Sequence, residues 1–298
     1  MANTDNKNVT AEVREFLSTR RSRISPQQAG LPVHGGYRRV AGLRREEVAL
    51  LAGLSVDYYI RLERGNLSGA SESVLEALAH ALQLNEAERA HLYDLARAAT
   101  PSGRVAAVTT SRVRPTILRM IDSMTDVPAY VRNGRFDILA ANALGRALYT
   151  PVYDSPLFVQ RGPVNSARFL FLDPAGQDFW ADWDKAADDS VAFLRTEAGR
   201  APHDRALTNL IGELTTRSDD FARRWARHDV KLHRSGVKHL HHPLVGELAL
   251  PYEAVDLPAD PGLRINLYTP EPGSREQEAL GLLASWTDAE TEIPSRND

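Results

Sequence analysis

GLRREEVALLAGLSVDYYIRLERG, residues Gly42 to Gly65, decides how this chain is read. Val48, Leu51 and Ala52 recur at helical spacing, and Gly53 supplies a left-handed stop. Ser55 is placed to cap a second helix whose inward residues are Tyr59 and Leu62. Two short helices joined by so tight a turn form a helix-turn-helix, in which the second helix is exposed from its first turn onward. A major groove admits one such helix.

Charge placement favours this over a plain helical hairpin with solvated charges. Arg44 and Arg45 sit at the start of the leading helix, where the macrodipole favours carboxylates and penalises cations. A DNA phosphate would compensate, because helix N-termini and arginines both bind it. The outward positions of the second helix are Val56, Asp57, Tyr58 and Arg61. They suit a thymine methyl, a cytosine amino group, the backbone and a guanine edge in turn.

Working outward, the 298 residues are enough for two domains, and 43% hydrophobic with 25% charged residues is ordinary globular composition. No apolar run approaches the ~18 residues a membrane span needs, and the N-terminal MANTDNKNVT lacks a signal-peptide pattern. A cytoplasmic protein is expected, with no membrane partner. Zero cysteines exclude disulfides, thiolate zinc sites and thiol catalysis. The net charge of −3 hides an asymmetry: from Arg14 to Arg45 there are eight arginines against the single acid Glu15. A localised footprint on double-stranded DNA is therefore expected, with repulsion of DNA elsewhere.

In chain order, residues 1–9 read as a polar leader, and Thr10 as the cap of a helix to about Arg23 with Val13, Phe16 and Leu17 inward. Ser25 to Ala41 contains two prolines and three glycines and reads as a long loop, whose Arg38 and Arg39 can reach the phosphate backbone or the minor groove. Ser71 caps a helix with Val74, Leu75, Leu78 and Leu82 on one face, and Asn85 caps another to about Ala99. An all-α domain of five helices results, over residues 10–99.

The pattern from Ala49 through Gly53, Ser55 and Tyr59 to Leu62, Glu63 and Gly65 resembles the XRE family of phage-repressor-like regulators. That resemblance implies that Glu63 pairs with Arg21 of the first helix, that Val56, Asp57 and Arg61 face base edges, and that Arg45 and Asn66 hold phosphates. Family members usually carry Gln where Arg45 stands, so this phosphate contact would be ionic. The loop after the first helix, the words RREEV and SVDYY, and the ending NEAERAHLYDLA narrow the likeness to the MmyB-like branch.

Residues 100–112 are small, polar and aperiodic, and read as a linker to a second domain at 113–288. A helix follows Pro115. Asn133-Gly134 then marks a hairpin between a strand at about Ala129 to Arg132 and one carrying Phe136, Ile138 and Ala140. Helix returns from Gly176 to Arg227, with breaks near Gly199 and Ser218. Period-two alternation resumes at Val230 and Leu232, Val237 to His241, Leu248 to Tyr252 and Leu263 to Leu267. This is an α+β arrangement whose late strands must pair back with the first. The words SDDFARRWARHDV and HHPLVGELAL again resemble the MmyB-like regulators, which implies a PAS-like domain with an apolar cavity for a fatty-acid-like molecule.

Aromatic side chains of the helical middle are candidates to line such a cavity, among them Phe169, Trp180, Phe193 and Trp225; plain core is the ordinary alternative. Arg168 and Arg195, flanked by apolar residues, suit a carboxylate head group, with solvated surface or an internal ion pair as the ordinary alternatives. No GxSxG elbow, phosphate loop, GxGxxG or HExxH is present. The chain thus reads as a homodimeric, non-enzymatic DNA-binding regulator that needs no cofactor or metal and senses a small lipophilic ligand. One rival reading makes His228, His233, His239, His241 and His242 a zinc site, hence an enzyme or metal-binding domain fused to the DNA-binding domain. Another makes the second half a structural or partner-binding module.

Overall fold

Helix begins almost at the N-terminus. The computed structural model describes residues 2–31, 40–100, 112–158, 163–230 and 235–291, with side chains from 9 to 286 within these. Helix α1 spans Ala2–Arg23, so the leader expected at 1–9 is largely helical and Thr10 lies inside the helix rather than capping it. The reason is Val9: with Val13, Phe16 and Leu17 it completes an i, i+4, i+7, i+8 stripe, all four fully or almost fully buried. Residues 101–111 of the linker expected at 100–112, and the loop arginines Arg38 and Arg39, lie outside the described residues.

The chain divides into two compact units. The first comprises 1–106, 191–208 and 223–232; the second comprises 107–190, 209–222 and 233–298. In the first, α1 is followed by α2 (Arg45–Leu51), α3 (Val56–Glu63), α4 (Glu72–Ala81) and α5 (Glu86–Ala99). Ser55, Ser71 and Asn85 each accept a backbone N–H with their side chain at the start of the next helix. Leu43, Val48, Tyr59, Leu62, Leu78, Leu92 and Leu95 form one core with the α1 stripe. Val230 joins this core. That corrects the strand expected at Val230: the residue is not in regular strand, and its partner Leu232 is outside the described residues. Burying a Val side chain against an existing core is worth ~1.5–3 kcal/mol, more than a frayed strand end would recover.

The second unit is built on a five-stranded antiparallel sheet in the order β2-β1-β5-β4-β3. Helix α6 (Pro115–Asp122) precedes the hairpin of β1 (Ala129–Asn133) and β2 (Ile138–Ala141). Then come α7 (Ala143–Leu148), α8 (Thr150–Tyr153), α9 (Ser166–Leu172) and α10 (Pro174–Phe179). Helices α11 (Trp183–Arg200), α12 (Arg205–Arg217) and α13 (Asp219–Trp225), of which 191–208 and 223–225 belong to the first unit, lead to β3 (Ser235–His242), β4 (Gly246–Asp256), β5 (Leu263–Tyr268) and a closing α14 (Arg275–Thr291). Strand β5 returns beside β1, pairing Val131 with Ile265, as the period-two pattern requires. The short helices α7 to α9 and the closing α14 were not anticipated.

Both faces of the central strands are covered. Ala129, Val131, Leu263 and Ile265 pack against Val113, Ile117 and Ile121 around α6. The opposite face, with Tyr130, Leu240, Leu248, Leu250, Tyr252 and Tyr268, packs under Leu144, Leu148, Phe169, Phe179 and Leu280. Asn142 fastens the two layers: its Oδ1 accepts from Ala129 N and Gly145 N at 3.0 and 2.8 Å, and its Nδ2 faces the carbonyls of Ile121, Met124 and Val127 at 3.2, 2.8 and 2.8 Å.

Candidate DNA interface and ligand core

The helix pair α2–α3 is fixed at its ends by local hydrogen bonds. Arg44 is the N-cap of α2, and its backbone N–H donates to Glu47 Oε2 at 2.6 Å. Gly53 takes φ +64°, and Leu54 N donates back to Ala49 O at 2.9 Å, closing α2. Ser55 Oγ accepts from Tyr58 N at 3.2 Å to open α3. The two glycines that bound the motif both meet α1: a Cβ on Gly42 would lie 2.5 Å from Ser22 backbone, and one on Gly65 would lie 2.3 Å from Thr10 O. Glycine at these two points lets the motif seat against α1.

Tyr59 and Leu62 point inward, while Val56, Asp57 and Arg61 are exposed and Tyr58 is half-buried. The Arg61 guanidinium lies over the Tyr58 ring at 4.7 Å, which holds the longer side chain on the exposed face. Asn66, just beyond α3, is exposed, as are Arg44 and Arg45.

Glu63 anchors α3 from below. Its carboxylate is 2% exposed and accepts from Arg21 Nε at 2.6 Å and from Arg45 Nε, with Tyr59 Oη at 3.4 Å. Burial and the Glu63 charge together push the Tyr59 phenol well above its ordinary value, so it stays a neutral donor. Two arginines on one carboxylate leave a local excess of positive charge. Arg45, still 54% exposed, carries that excess to the surface beside the exposed face of α3.

The six candidate ligand residues are divided between the two units. Phe169 and Trp180 lie in the core of the second unit, where Phe179 bridges them at 5.9 and 5.2 Å between ring centres. Arg168 pairs with Glu213 at 2.8 Å in the same unit. Phe193, Arg195 and Trp225 belong to the first unit. Arg195 is wholly buried there: it donates to Glu12 Oε1 and to Trp225 O, both at 2.5 Å, and stacks on the Trp225 ring at 3.9 Å.

What the second unit does gather is a set of tyrosines that the sequence reading passed over. Tyr130, Tyr149 and Tyr268 are mutually in ring contact, Tyr252 touches Tyr268, and the Tyr149 and Tyr268 hydroxyls are 2.5 Å apart. Phe179 and Trp180 close over Tyr149, and Lys238 Nζ lies 5.5 Å over Trp180 and 5.1 Å over Tyr252. Beside them the buried Arg132 donates to Asn266 Oδ1 at 3.2 Å. Burial pushes the Tyr149 and Tyr268 phenols well above their ordinary value. An aromatic face with a few convergent polar groups is the composition of a small-molecule site. Its signal in the sequence was the alternation Tyr130-x-Arg132 on β1 and Asn266-x-Tyr268 on β5, which puts all four on one sheet face.

The histidines are divided. His239 and His241 are exposed on β3, and His241 Nε2 lies 2.9 Å from Glu247 Oε1. His242 is buried against Ala147 O at 3.1 Å, and its desolvation lowers its pKa. His228 belongs to the first unit, and His233 lies outside the described residues.

Comparison with protein families matches residues 113–283 to the MmyB-like transcription regulator ligand binding domain and residues 36–92 to a helix-turn-helix domain. No curated protein matches the chain. Among the described residues no helix is long and apolar enough to cross a membrane.

Proposed function

Since this chain belongs to the MmyB-like transcription regulators, with a helix-turn-helix domain ahead of the ligand-binding domain, we propose that it binds a two-fold operator as a homodimer and that a lipophilic, fatty-acid-like ligand alters that affinity. In this reading 10–99 is the DNA-binding domain, 100–112 a linker and 113–288 a PAS-like sensor, in a cytoplasmic protein without catalysis. Val56, Asp57 and Arg61 read base edges, and Arg44, Arg45, Tyr58 and Asn66 position the backbone.

One observation carries the coupling. Arg195, inside the matched ligand-binding stretch, is buried on Glu12 of α1, and α1 also supplies Arg21, which holds Glu63 of α3. All of these residues lie in the first compact unit. A change in the 191–208 segment therefore bears on the helix that positions the recognition helix. A dimer must hold its two recognition helices about 34 Å apart to engage both half-sites, so small displacements of α1 are expressed as affinity. The ligand shifts operator affinity by its differential affinity for the two arrangements, typically ~1–3 kcal/mol, or about 5–150-fold.

The test is a pair of titrations of myristate, one into the free protein and one into its complex with an operator selected from random duplexes. Linkage requires that the two myristate affinities differ by the factor by which myristate changes operator affinity. Equal affinities in the two titrations would overturn the coupling and leave the second domain as a structural or partner-binding module.

A further inference from the structure

Three donor side chains meet in the first unit, and a fourth lies beside them. Glu12 and Glu15 stand one turn apart on α1, and His228 follows α13. One ligand atom from each of these three lies within 4.8 Å of the others. His228 Nε2 is 3.1 Å from Glu15 Oε2, and His228 Nδ1 is 3.9 Å from Glu12 Oε1. From α5, His91 Nε2 approaches Glu12 Oε1 to 3.8 Å.

The two histidines are the telling members. His91 is wholly buried, and neither of its ring nitrogens has a hydrogen-bond partner; His228 Nδ1 is buried and unpartnered as well. Separations of 3.8 and 3.9 Å are too long for hydrogen bonds. One ion takes one nitrogen of the His228 ring, and the three ligand atoms, within 4.8 Å of one another, would draw in to the ~3–3.5 Å between donors that share one cation at ~2.0–2.2 Å bond lengths. His91 is also fixed in place: Phe16 meets its ring edge-on at 5.0 Å, and a Cβ on Gly199 would lie 2.5 Å from its Cε1.

We propose that Glu12, Glu15 and His228 form a binding site for one divalent transition-metal ion, with zinc as the fitting case and the buried His91 beside Glu12. An imidazole and two carboxylates, with no thiolate in the chain, suit a borderline ion such as zinc over magnesium or calcium. Arg195 donates to Glu12 Oε1 and fixes that carboxylate from the side. Its charge opposes a second cation, and the paired carboxylates of Glu12 and Glu15 offset that repulsion. A bound ion would brace α1 against the 223–232 segment. Since α1 carries Arg21, the ion would stiffen the support of the recognition helix. The site does not depend on the identity of operator or ligand.

The experiment titrates Zn2+ into the full-length protein by calorimetry, with Mg2+ as control and with thermal unfolding recorded on the same samples. One Zn2+ per chain is expected, together with a rise in the midpoint of the first transition that Mg2+ does not reproduce. Glu15→Gln is the decisive variant, because this side chain is half-exposed and its loss leaves the core intact. It should lower zinc affinity at least tenfold while circular dichroism stays unchanged. His228→Gln should act alike, whereas His241→Gln on β3 should leave binding as it was. Absence of a one-to-one zinc complex, binding unaltered in Glu15→Gln, or loss confined to His241→Gln would each overturn the site.

Discussion

Replacing Glu63 by Ala tests the support beneath the recognition helix. The carboxylate is 2% exposed, and its removal strands two arginines differently. Arg21 is 16% exposed and keeps its 2.9 Å bond to Leu43 O, so most of its charge remains in a poorly solvated place. Arg45 is 54% exposed and rehydrates, so its share is ~0–1 kcal/mol. Breaking a buried pair by deleting one member costs ~3–5 kcal/mol. The partial exposure of Arg21 puts the expectation at the lower end, about 3 kcal/mol. Because the chain has two compact units, a single urea midpoint mixes their transitions. Native-state hydrogen exchange resolves them. Amides from Val48 to Leu62 should exchange roughly 100-fold faster in Glu63→Ala, while β1 and β5 keep wild-type protection. A double variant, Arg21→Leu with Glu63→Leu, should recover much of the loss, since no uncompensated charge remains. Less than about a fivefold change in the single variant would refute the claim that Glu63 is a buried counter-ion.

Other perturbations read other parts of the molecule. Arg61→Ala should cost ~1–3 kcal/mol of operator affinity and relax specificity at one base pair, whereas Arg45→Ala should weaken all duplexes alike and lower the salt slope by about one; uniform loss in both would contradict the docking. Asn142→Ala removes the acceptor for two backbone N–H groups and the donor to three carbonyls. Each buried group left unmatched costs ~1–3 kcal/mol, so native-state hydrogen exchange of β1 and β5 should show the second unit losing at least ~3 kcal/mol, and a loss below about 1 would deny the fastening role. Tyr149 and Tyr268 have pKa values raised by burial, so the folded unit holds their protons more tightly than the unfolded chain does. Their stabilising contribution is present below the ordinary phenol value near pH 10 and falls by ~1.4 kcal/mol per group per unit above it. Flat stability of the second unit from pH 9 to 11 would show that these phenols are accessible.

Local signals carried much of the reading. Gly53, Ser55, Ser71 and Asn85 act within a few residues of themselves, so the stops and caps of α2 to α5 follow from the chain alone. Tyr59 and Leu62 turn inward because helical period decides which face is apolar. Strands β3 to β5 likewise announced themselves by alternation, and the Asn133-Gly134 turn fixed the first hairpin. Properties that depend on distant partners were a different matter. Periodicity shows that Val230 is apolar and that Arg195 sits among apolar residues. It does not show that both are buried with α1, about 180 or more positions away. The same limit hid the tyrosine face, because Tyr130, Tyr149, Tyr252 and Tyr268 come from four separate elements that meet only when β5 returns beside β1. It also hid the donors around Glu12. By sequence His228 groups with the histidines of β3, yet burial in the first unit sets it beside two carboxylates of α1. Local hydrogen bonding and side-chain period are properties of neighbouring residues, whereas these sites are made by long-range packing, which only the folded chain decides.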